Sequence, residues 1–573
     1  MNETLKVVFG LVGGLAMFLF GMNSMSDALQ KAAGEKMKKV LSFLTKNPIM
    51  GALAGALVTA VLQSSSATTV MVIGFVSAGL MSLPQAISVI FGANIGTTMT
   101  AQLMAFKISN YIYPIIFIGF LINFTAKKEK LKNIGMVILS FGLLFEGIEI
   151  MGNVMKPLAT SQIFIDLMGK VSDIPILGVI LGAVMTLVVQ SSSATIAVLQ
   201  NFASQPAADG VTSVMGLAGA IPILLGDNIG TTITALLASI GQSKNAKRTA
   251  VAHSVFNITG SAVFIFIIPL LSRFVQYISP KGNEVDVISR QIANAHTTFN
   301  VVCTLVWLPL IPVMVKIVTW IIRGKDSNEE VSSSPKYLDE RMVSQPVAAV
   351  YLVSREIERL SGFASNMLNA LKDTTKGSES GRANEDYKEY YLTVKKLHES
   401  ISGYITKLFS AGRLTEELSE KAAGLLYVTN NIDRIADRCE DISKYENEIT
   451  ADGKKLSQSA KNEIAKCLEI TEGLFSRAMQ SIANGDDEVE ILVKEKNRMR
   501  KVQKKSTKAH FARVEKKTCD PSLTGSYSGM LYSIERMAEN CVGIAEEAAD
   551  NISYIKLDEA ELKKQFGETP VYA

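Results

Sequence analysis

Two long stretches of this 573-residue chain lack any charged or histidine side chain. There is no Asp, Glu, Lys, Arg or His from Asn47 to Phe106, and none from Ile174 to Ala208. Uncharged apolar stretches of this length are typical of membrane segments, because about 20 apolar residues are needed to cross the hydrocarbon core. An ordinary soluble domain is therefore excluded for this part of the chain.

Cysteine is scarce as well: there are five, four of them in the polar C-terminal part and none in a C-x-x-C pattern. A disulfide framework is thus excluded, and reduced thiols in a cytosolic domain are predicted. The sequence also lacks a P-loop, a nucleophile elbow and an H-E-x-x-H motif, so we expect no enzyme. With 58 basic against 54 acidic residues, nothing predicts a nucleic-acid partner.

The composition changes near Arg323, from apolar to strongly charged. Apolar segments start at Val7 and continue at about 49–80, 83–106, 110–126, 133–155, 174–203, 211–241, 249–275 and 291–322. We expect an all-α protein with a polytopic membrane domain at 1–323, its first helix retained and no signal peptide. A linker (324–343), a helical domain (344–557) and a tail (558–573) follow. The positive-inside rule places Arg323 and everything after it in the cytoplasm.

The membrane part repeats itself. Gln63-Ser64-Ser65-Ser66 recurs as Gln190-Ser191-Ser192-Ser193, and a later Gly-x-Asn-Ile-Gly-Thr-Thr motif also occurs twice, around Asn94 and Asn228. Polar clusters that interrupt apolar segments predict re-entrant helical hairpins with the cluster at the tip. Paired interrupted segments indicate a transporter of two repeats, about 1–130 and 131–323, often of inverted topology.

The serine clusters have two interpretations. Small hydroxyl residues allow close helix packing, which would be a purely structural role. Duplication next to a glutamine at a helix break instead favours anion coordination by helix N-termini and hydroxyls. We therefore predict that a tetrahedral oxyanion is bound by Ser64, Ser65, Ser66, Ser191, Ser192 and Ser193.

No lysine or arginine lies near either cluster, so a divalent anion there needs another counter-charge. Amide, hydroxyl and carboxylate oxygens are ligands suited to Na⁺. We predict sodium binding by Gln63, Gln190, Asn94, Thr97, Thr98, Asp227, Asn228, Thr231 and Thr232. Asp227 has the alternative of capping a helix that starts near Asn228.

Two further patterns keep alternatives open. His253 and His296 begin matched His-x-x-Phe-Asn segments, for which helix packing is favoured over a proton relay because no carboxylate accompanies them. In the charged part, helices are expected at about 344–373, 385–410, 414–449, 456–484, 487–517 and 525–556, in two three-helix units. Their i, i+4 acid pairs, either metal ligands or a solvated salt-bridge surface, are Asp433 with Asp437 and Glu535 with Glu539.

The paired Gln-Ser-Ser-Ser and Asn-Ile-Gly-Thr-Thr motifs resemble those of the sodium–phosphate cotransporter type II family over the whole membrane half. The C-terminal half resembles a PhoU-like domain through its two acidic-Arg-x-Ala-acidic segments. The resemblance implies phosphate held by the serines, Na⁺ as coupling ion, and alternating access between repeats. It also implies a divalent or iron metal in the PhoU-like domain, although Glu539 stands where that pattern has Asp.

The function expected from these arguments is sodium-coupled phosphate symport across a cell inner membrane, with a cytosolic regulatory domain. The expected partners are phosphate, sodium and the lipid bilayer, and a homo-oligomer is left open. Two alternatives remain at this point. The transporter could run outward as a phosphate exporter, or the chain could be a membrane-tethered phosphate sensor without transport.

Overall fold

The computed structural model describes residues 3–43, 47–159, 174–207, 209–324, 334–375 and 381–549. In these ranges the chain is helical and forms no extended strand. It divides into two compact units, one ending at Gly324 among the described residues and one beginning at Ser334. The all-α fold predicted from the sequence is confirmed.

The membrane unit is built from thirteen helices in the described ranges. In chain order they are α1 (Glu3–Phe43), α2 (Pro48–Leu62), α3 (Ser65–Ser77), α4 (Leu83–Met104), α5 (Ile112–Thr125), α6 (Glu129–Ala159), α7 (Pro175–Val189), α8 (Ser192–Ala203), α9 (Gly216–Ala238), α10 (Lys244–Phe264), α11 (Ile268–Ile278), α12 (Glu284–Trp307) and α13 (Ile311–Ile321).

Four helical segments in the described residues are long and apolar enough to cross a membrane: Leu5–Ala32, Glu129–Met155, Gly216–Ala238 and Lys244–Ile278. Two bent pairs bring the number to six. The chain turns by 78° between α4 and the segment Ser109–Thr125, and by 88° between α12 and α13. Pro309 and Pro312 explain the second bend, because proline cannot continue a helix through its ring and missing N–H. The sequence pattern gave 291–322 as one apolar segment and did not indicate the bend.

The serine clusters lie at the tips of two helical hairpins, as predicted. Helices α2 and α7 have 15 residues each, about 22 Å at 1.5 Å per residue, which is shorter than the ~30 Å hydrocarbon core. Each is followed after a two-residue turn by a helix of similar length, α3 or α8. The Thr59 and Thr68 hydroxyls, four residues on either side of the first turn, are 2.9 Å apart. Each hairpin therefore enters the membrane unit from one side and turns back to the same side.

The two hairpins open at opposite ends of α4. The first hairpin ends at Ser77, six positions before α4 begins at Leu83. The second ends beside the other end of α4, because Gln200 on α8 donates from Nε2 to the Ala101 carbonyl at 3.1 Å. With 22 residues, α4 is about 33 Å long. The repeats are thus inverted with respect to each other.

Glycine allows each hairpin to pack closely against the helix after it. A Cβ on Gly92 would overlap the Ala52 carbonyl oxygen of α2, and a Cβ on Gly226 would overlap the Val179 carbonyl oxygen of α7. Small residues of this kind let membrane helices approach until their backbones touch. The same arrangement in both repeats fixes each serine turn beside a Gly-x-Asn-Ile-Gly-Thr-Thr helix.

We expect Gly92→Ala to destabilise the membrane unit by about 1–3 kcal/mol, because the added methyl group must push α2 and α4 apart. The matched control is Gly13→Ala on α1, where a Cβ meets no atom within 4 Å. Thermal unfolding of the detergent-solubilised protein measures the difference. Equal melting temperatures for the two variants would contradict the close packing.

The second unit contains six helices in its described part. They are α14 (Pro346–Thr375), α15 (Gly381–Ser410), α16 (Glu416–Ala451), α17 (Gln458–Asn484), α18 (Val489–Glu515) and α19 (Thr524–Ala549). Their apolar sides are buried, as the amphipathic pattern predicts. The six bounds agree with the sequence prediction to within a few residues. The expected end of the last helix, 550–556, lies outside the described residues.

Candidate substrate site

Both hairpin tips have the same backbone geometry. Gln63 and Gln190 end α2 and α7 in the left-handed region, with φ of 51° and 54°. Ser64 and Ser191 then take extended conformations and cap the next helix, accepting hydrogen bonds from the backbone N–H of Ala67 and Ala194. One residue that ends a helix is thus followed directly by one that begins another.

Each tip presents the N-terminus of a helix. The N–H groups of Ser65 and Ser66 lie in the first turn of α3, and those of Ser192 and Ser193 lie in the first turn of α8. Such N–H groups have no acceptor within their own helix, and the helix dipole is positive at this end. A small anion could bind there without any cationic side chain.

The two tips meet next to Thr234 on α9. A Cβ on Gly230 would lie 2.9 Å from the Thr186 Cβ, and a Cβ on Gly226 would contact α7 one turn earlier. Helices α7 and α9 therefore run parallel. One further turn along both helices brings Thr234 of α9 level with Gln190, which follows the end of α7. Thr234 also donates from Oγ1 to Ser66 Oγ of the first hairpin at 3.1 Å. The structure thus brings both serine clusters to one region between the repeats.

The six serines differ in exposure. Ser65 and Ser193 are buried, whereas Ser64, Ser66, Ser191 and Ser192 are partly exposed. Gln190 is exposed, whereas Gln63 is buried and accepts at Oε1 from Thr100 Oγ1 at 2.8 Å. Thr100 is the first-repeat counterpart of Thr234. The repeats therefore share a backbone arrangement while their side-chain contacts differ.

Asp227 is a fully buried carboxylate on α9. Its Oδ1 accepts from Thr186 Oγ1 at 2.5 Å, and Thr186 in turn is 3.0 Å from Thr195 on α8. Its Oδ2 has no hydrogen-bond partner in the described residues. Asp227 lies in the interior of α9 (Gly216–Ala238), so the alternative of an N-cap near Asn228 is wrong. A buried carboxylate in a membrane unit is a functional candidate by default.

The two motif asparagines contact the two histidines. Asn94 Oδ1 is 3.2 Å from His253 Nε2, and Asn228 Oδ1 is 3.3 Å from His296 Nε2. Each asparagine also donates from Nδ2 to a carbonyl of its own helix, which leaves Oδ1 as the acceptor for an imidazole N–H. The histidines therefore hold the motif helices against α10 and α12. The sequence favoured helix packing over a proton relay for these histidines but did not identify the asparagines as their partners, and the matched His-x-x-Phe-Asn segments were the available signal.

The four motif threonines bind their own helices. Each hydroxyl donates to a backbone carbonyl three or four residues earlier, namely Thr97 to Ala93, Thr98 to Ile95, Thr231 to Asp227 and Thr232 to Ile229. Donation leaves the lone pairs of each oxygen available. The threonine hydroxyls of both motifs can therefore still act as cation ligands.

A cavity of about 610 Å³ lies at the C-terminal ends of α4 and α8 and the start of α12. Polar groups such as Gln200, Asn201 and Glu149 line it, and none of the predicted phosphate or sodium residues does. Helix α8 begins at the second serine cluster and ends at this cavity. The cavity thus lies on the side from which the second hairpin enters.

The predicted metal ligands in the second unit form ion pairs. Lys395 Nζ lies 2.9 Å from Asp433 and 2.6 Å from Asp437. Burial is the largest single influence on Lys395 and lowers its pKa, but the hydrogen bonds and negative charges of Asp437 and Asp433 together raise the pKa above its usual value.

The second acid pair is bridged in the same way. Arg500 lies 2.6 Å from Glu535 and 3.5 Å from Glu539, and its pKa is raised chiefly by the hydrogen bond to Glu535. Among the described residues, no group of three or more His, Cys, Asp or Glu side chains is placed to hold a metal. In this arrangement the four carboxylates do not fit a metal, and metal binding stays a prediction.

Comparisons with known proteins agree with this architecture. The Na⁺/Pi-cotransporter family model matches twice, at residues 17–153 and 147–281, and the PhoU domain model matches residues 340–445. An uncharacterized protein of Bacillus subtilis, YqeW, is 35% identical over 263 residues, which cover 46% of this chain and 83% of that protein. No solved structure matches the chain.

Two other relatives carry functional names. The putative inorganic phosphate export protein YjbB of Escherichia coli K12 is 24% identical over 534 residues, covering 92% of this chain and 94% of that protein. The human sodium-dependent phosphate transport protein 2B is 37% identical over 97 residues, 17% of this chain and 14% of that protein. The duplicated match, the inverted hairpins and the apolar helices lead to one conclusion: this chain belongs to the Na⁺/Pi-cotransporter family of multi-pass membrane transporters and carries a PhoU domain.

Proposed function

We propose that this protein is a sodium-coupled phosphate transporter and that phosphate binds between the two serine turns. The observation that carries the proposal is the hydrogen bond from Thr234, on the helix packed against the second hairpin, to Ser66 at the tip of the first. Each hairpin has a helix N-terminus and three serines at its tip. Backbone N–H groups and hydroxyls of this kind match the acceptor oxygens of phosphate.

Sodium supplies the missing positive charge in this proposal. The tips contain no basic side chain, and Asp227 adds a negative group nearby with one oxygen that no described residue satisfies. A cation a few ångströms from both would be attracted by several kcal/mol at an effective dielectric near 20. We assign this cation to oxygens of Gln63, Gln190, Asp227 and the two Asn-Ile-Gly-Thr-Thr segments.

Inverted hairpins provide a route for alternating access. Because each hairpin opens toward a different end of α4, a movement of one repeat against the other can expose the tips to one side at a time. The cytosolic placement of the PhoU domain, the inner membrane as location, and regulation by that domain belong to the same proposal. No step of it requires a metal in the PhoU domain.

Radiolabelled phosphate flux into proteoliposomes tests the function. An inward Na⁺ gradient should drive phosphate accumulation, and replacement of Na⁺ by choline should abolish it. Flux that is independent of Na⁺ would overturn the coupling, and phosphate binding without flux would favour a sensor. A chain ending near Arg323 serves as a second sample, because retained flux would assign the PhoU domain to regulation.

Outward transport is the second candidate, since the E. coli relative that matches nearly the whole chain is named as a putative phosphate exporter. The same liposomes distinguish the two directions. When they are loaded with labelled phosphate, an exporter of the same orientation should release it faster than it takes phosphate up under a matched gradient.

The histidine contacts give a test of the sodium site. We expect His253→Leu to raise the Na⁺ concentration for half-maximal flux about three- to tenfold. Asn94 is a proposed Na⁺ ligand, and its Oδ1 would lose the hydrogen bond that positions it. His253→Gln should restore Na⁺ dependence, since a glutamine Nε2–H₂ can donate in place of the imidazole Nε2–H. If both variants behave alike, the hydrogen bond has no part in Na⁺ binding.

A further inference from the structure

One side of α18 carries a row of basic residues. Lys494, Arg498, Lys501, Lys505 and Lys508 follow one another at steps of four and three positions, which places them on a single side of the helix. All five are exposed. The opposite side of α18 is buried in the unit through Leu492, Met499, Ser506 and His510. We call the exposed row the basic face.

The basic face is not neutralised by its surroundings. Arg498 pairs with Glu495 at 3.2 Å, whereas the four lysines make no ion pair with any part of the chain that the structure describes. No acid lies on the row between Lys494 and Lys508. Four unpaired cations in one line are unusual for a solvated helix surface, where charges of both signs alternate. The row therefore fits an extended anionic partner.

We propose that the basic face binds the anionic phospholipid headgroups of the bilayer in which the same chain is embedded. Only nine residues, 325–333, separate the last described residue of the membrane unit from the first of the PhoU-domain unit. Fully extended, they reach about 30 Å. A bilayer surface is consequently present at high effective concentration, which is true of no free anionic macromolecule.

An apolar side chain supports a lipid partner over a nucleic acid. Phe511 lies one turn beyond Lys508 and is 54% exposed. Aromatic residues next to lysines are typical of helices that lie at a membrane interface. This inference goes beyond phosphate transport and does not depend on its direction or its coupling ion.

Lysine acetylation of the full-length protein in nanodiscs tests the proposal. Acetylation of Lys494, Lys501, Lys505 and Lys508 should be about fivefold slower in discs containing phosphatidylglycerol than in phosphatidylcholine discs. The difference should vanish at ~0.5 M salt, where screening is strong. Lys388, an exposed lysine of the same unit, is the control and should react equally in both.

A variant and a competitor separate the remaining outcomes. The double substitution Lys501→Gln with Lys505→Gln should remove the lipid-dependent protection of Lys494 and Lys508. Equal acetylation rates in both kinds of disc would overturn the proposal. If the rates are equal in both discs but slower than that of Lys388, a protein segment covers the basic face and the proposal is overturned. Protection that appears only on addition of RNA would overturn it in favour of a nucleic acid.

Discussion

Ser65→Ala and Ser192→Ala should each weaken phosphate binding about ten- to a hundredfold. A hydrogen bond to a charged ligand is worth about 1.5–3 kcal/mol, and no basic side chain at the tips could replace it. The fold should remain intact, because Ser64 and Ser191 provide the N-caps of α3 and α8. Isothermal titration of the purified protein with phosphate in Na⁺ buffer measures the loss.

Ser140→Ala is the matched control for these variants. Ser140 is a fully buried serine of the same unit, on α6, and its hydroxyl has no partner among the described residues. Its removal should leave phosphate affinity unchanged. Wild-type affinity in both tip variants would show that the serine clusters serve helix packing alone.

Asp227→Asn should uncouple Na⁺ from phosphate. Neutralising a buried carboxylate removes several kcal/mol of attraction for a nearby cation at an effective dielectric near 20, so we expect Na⁺ affinity to fall by at least about tenfold. Phosphate affinity in choline buffer should not fall, because a negative group has been removed. Linkage is reciprocal, so the factor by which Na⁺ tightens phosphate and the factor by which phosphate tightens Na⁺ should shrink equally.

The structure makes Asp227→Asn a conservative change. An asparagine carbonyl can still accept the hydrogen bond from Thr186. Asp286→Asn, at an exposed acid paired with Lys107, is the control and should keep normal coupling. If the Asp227 variant responds to Na⁺ like the wild type, the carboxylate is not a sodium ligand.

Duplication made much of the site predictable. Two copies of Gln-Ser-Ser-Ser in uncharged apolar sequence indicated hairpin tips, and two copies of the asparagine motif indicated helices beside them. The turns at Gln63–Ser64 and Gln190–Ser191 follow that prediction. The helix bounds in the second unit were equally predictable, because the apolar residues of each helix keep a regular helical spacing along its whole length.

Long-range side-chain partners were beyond a single sequence. Asn94 and His253 are 159 positions apart, and neither residue identifies the other. Likewise Lys395 and Arg500, which bridge the acid pairs, lie on other helices at separations that no local pattern encodes. The 78° bend after α4 lies between the predicted segments 83–106 and 110–126, and no local pattern gives the angle between them.

Gln190 illustrates a trade between stability and function. A left-handed backbone costs a residue with a Cβ about 1–2 kcal/mol, and only glycine adopts it freely. Gln190 has φ of 54°, and its side chain is exposed. Gln190→Gly should consequently raise the melting temperature while it lowers transport. The strained backbone at Gln190 would then be retained because its side chain binds the transported ions. Selection for more stable variants of this protein would favour glycine at this position and lower its activity.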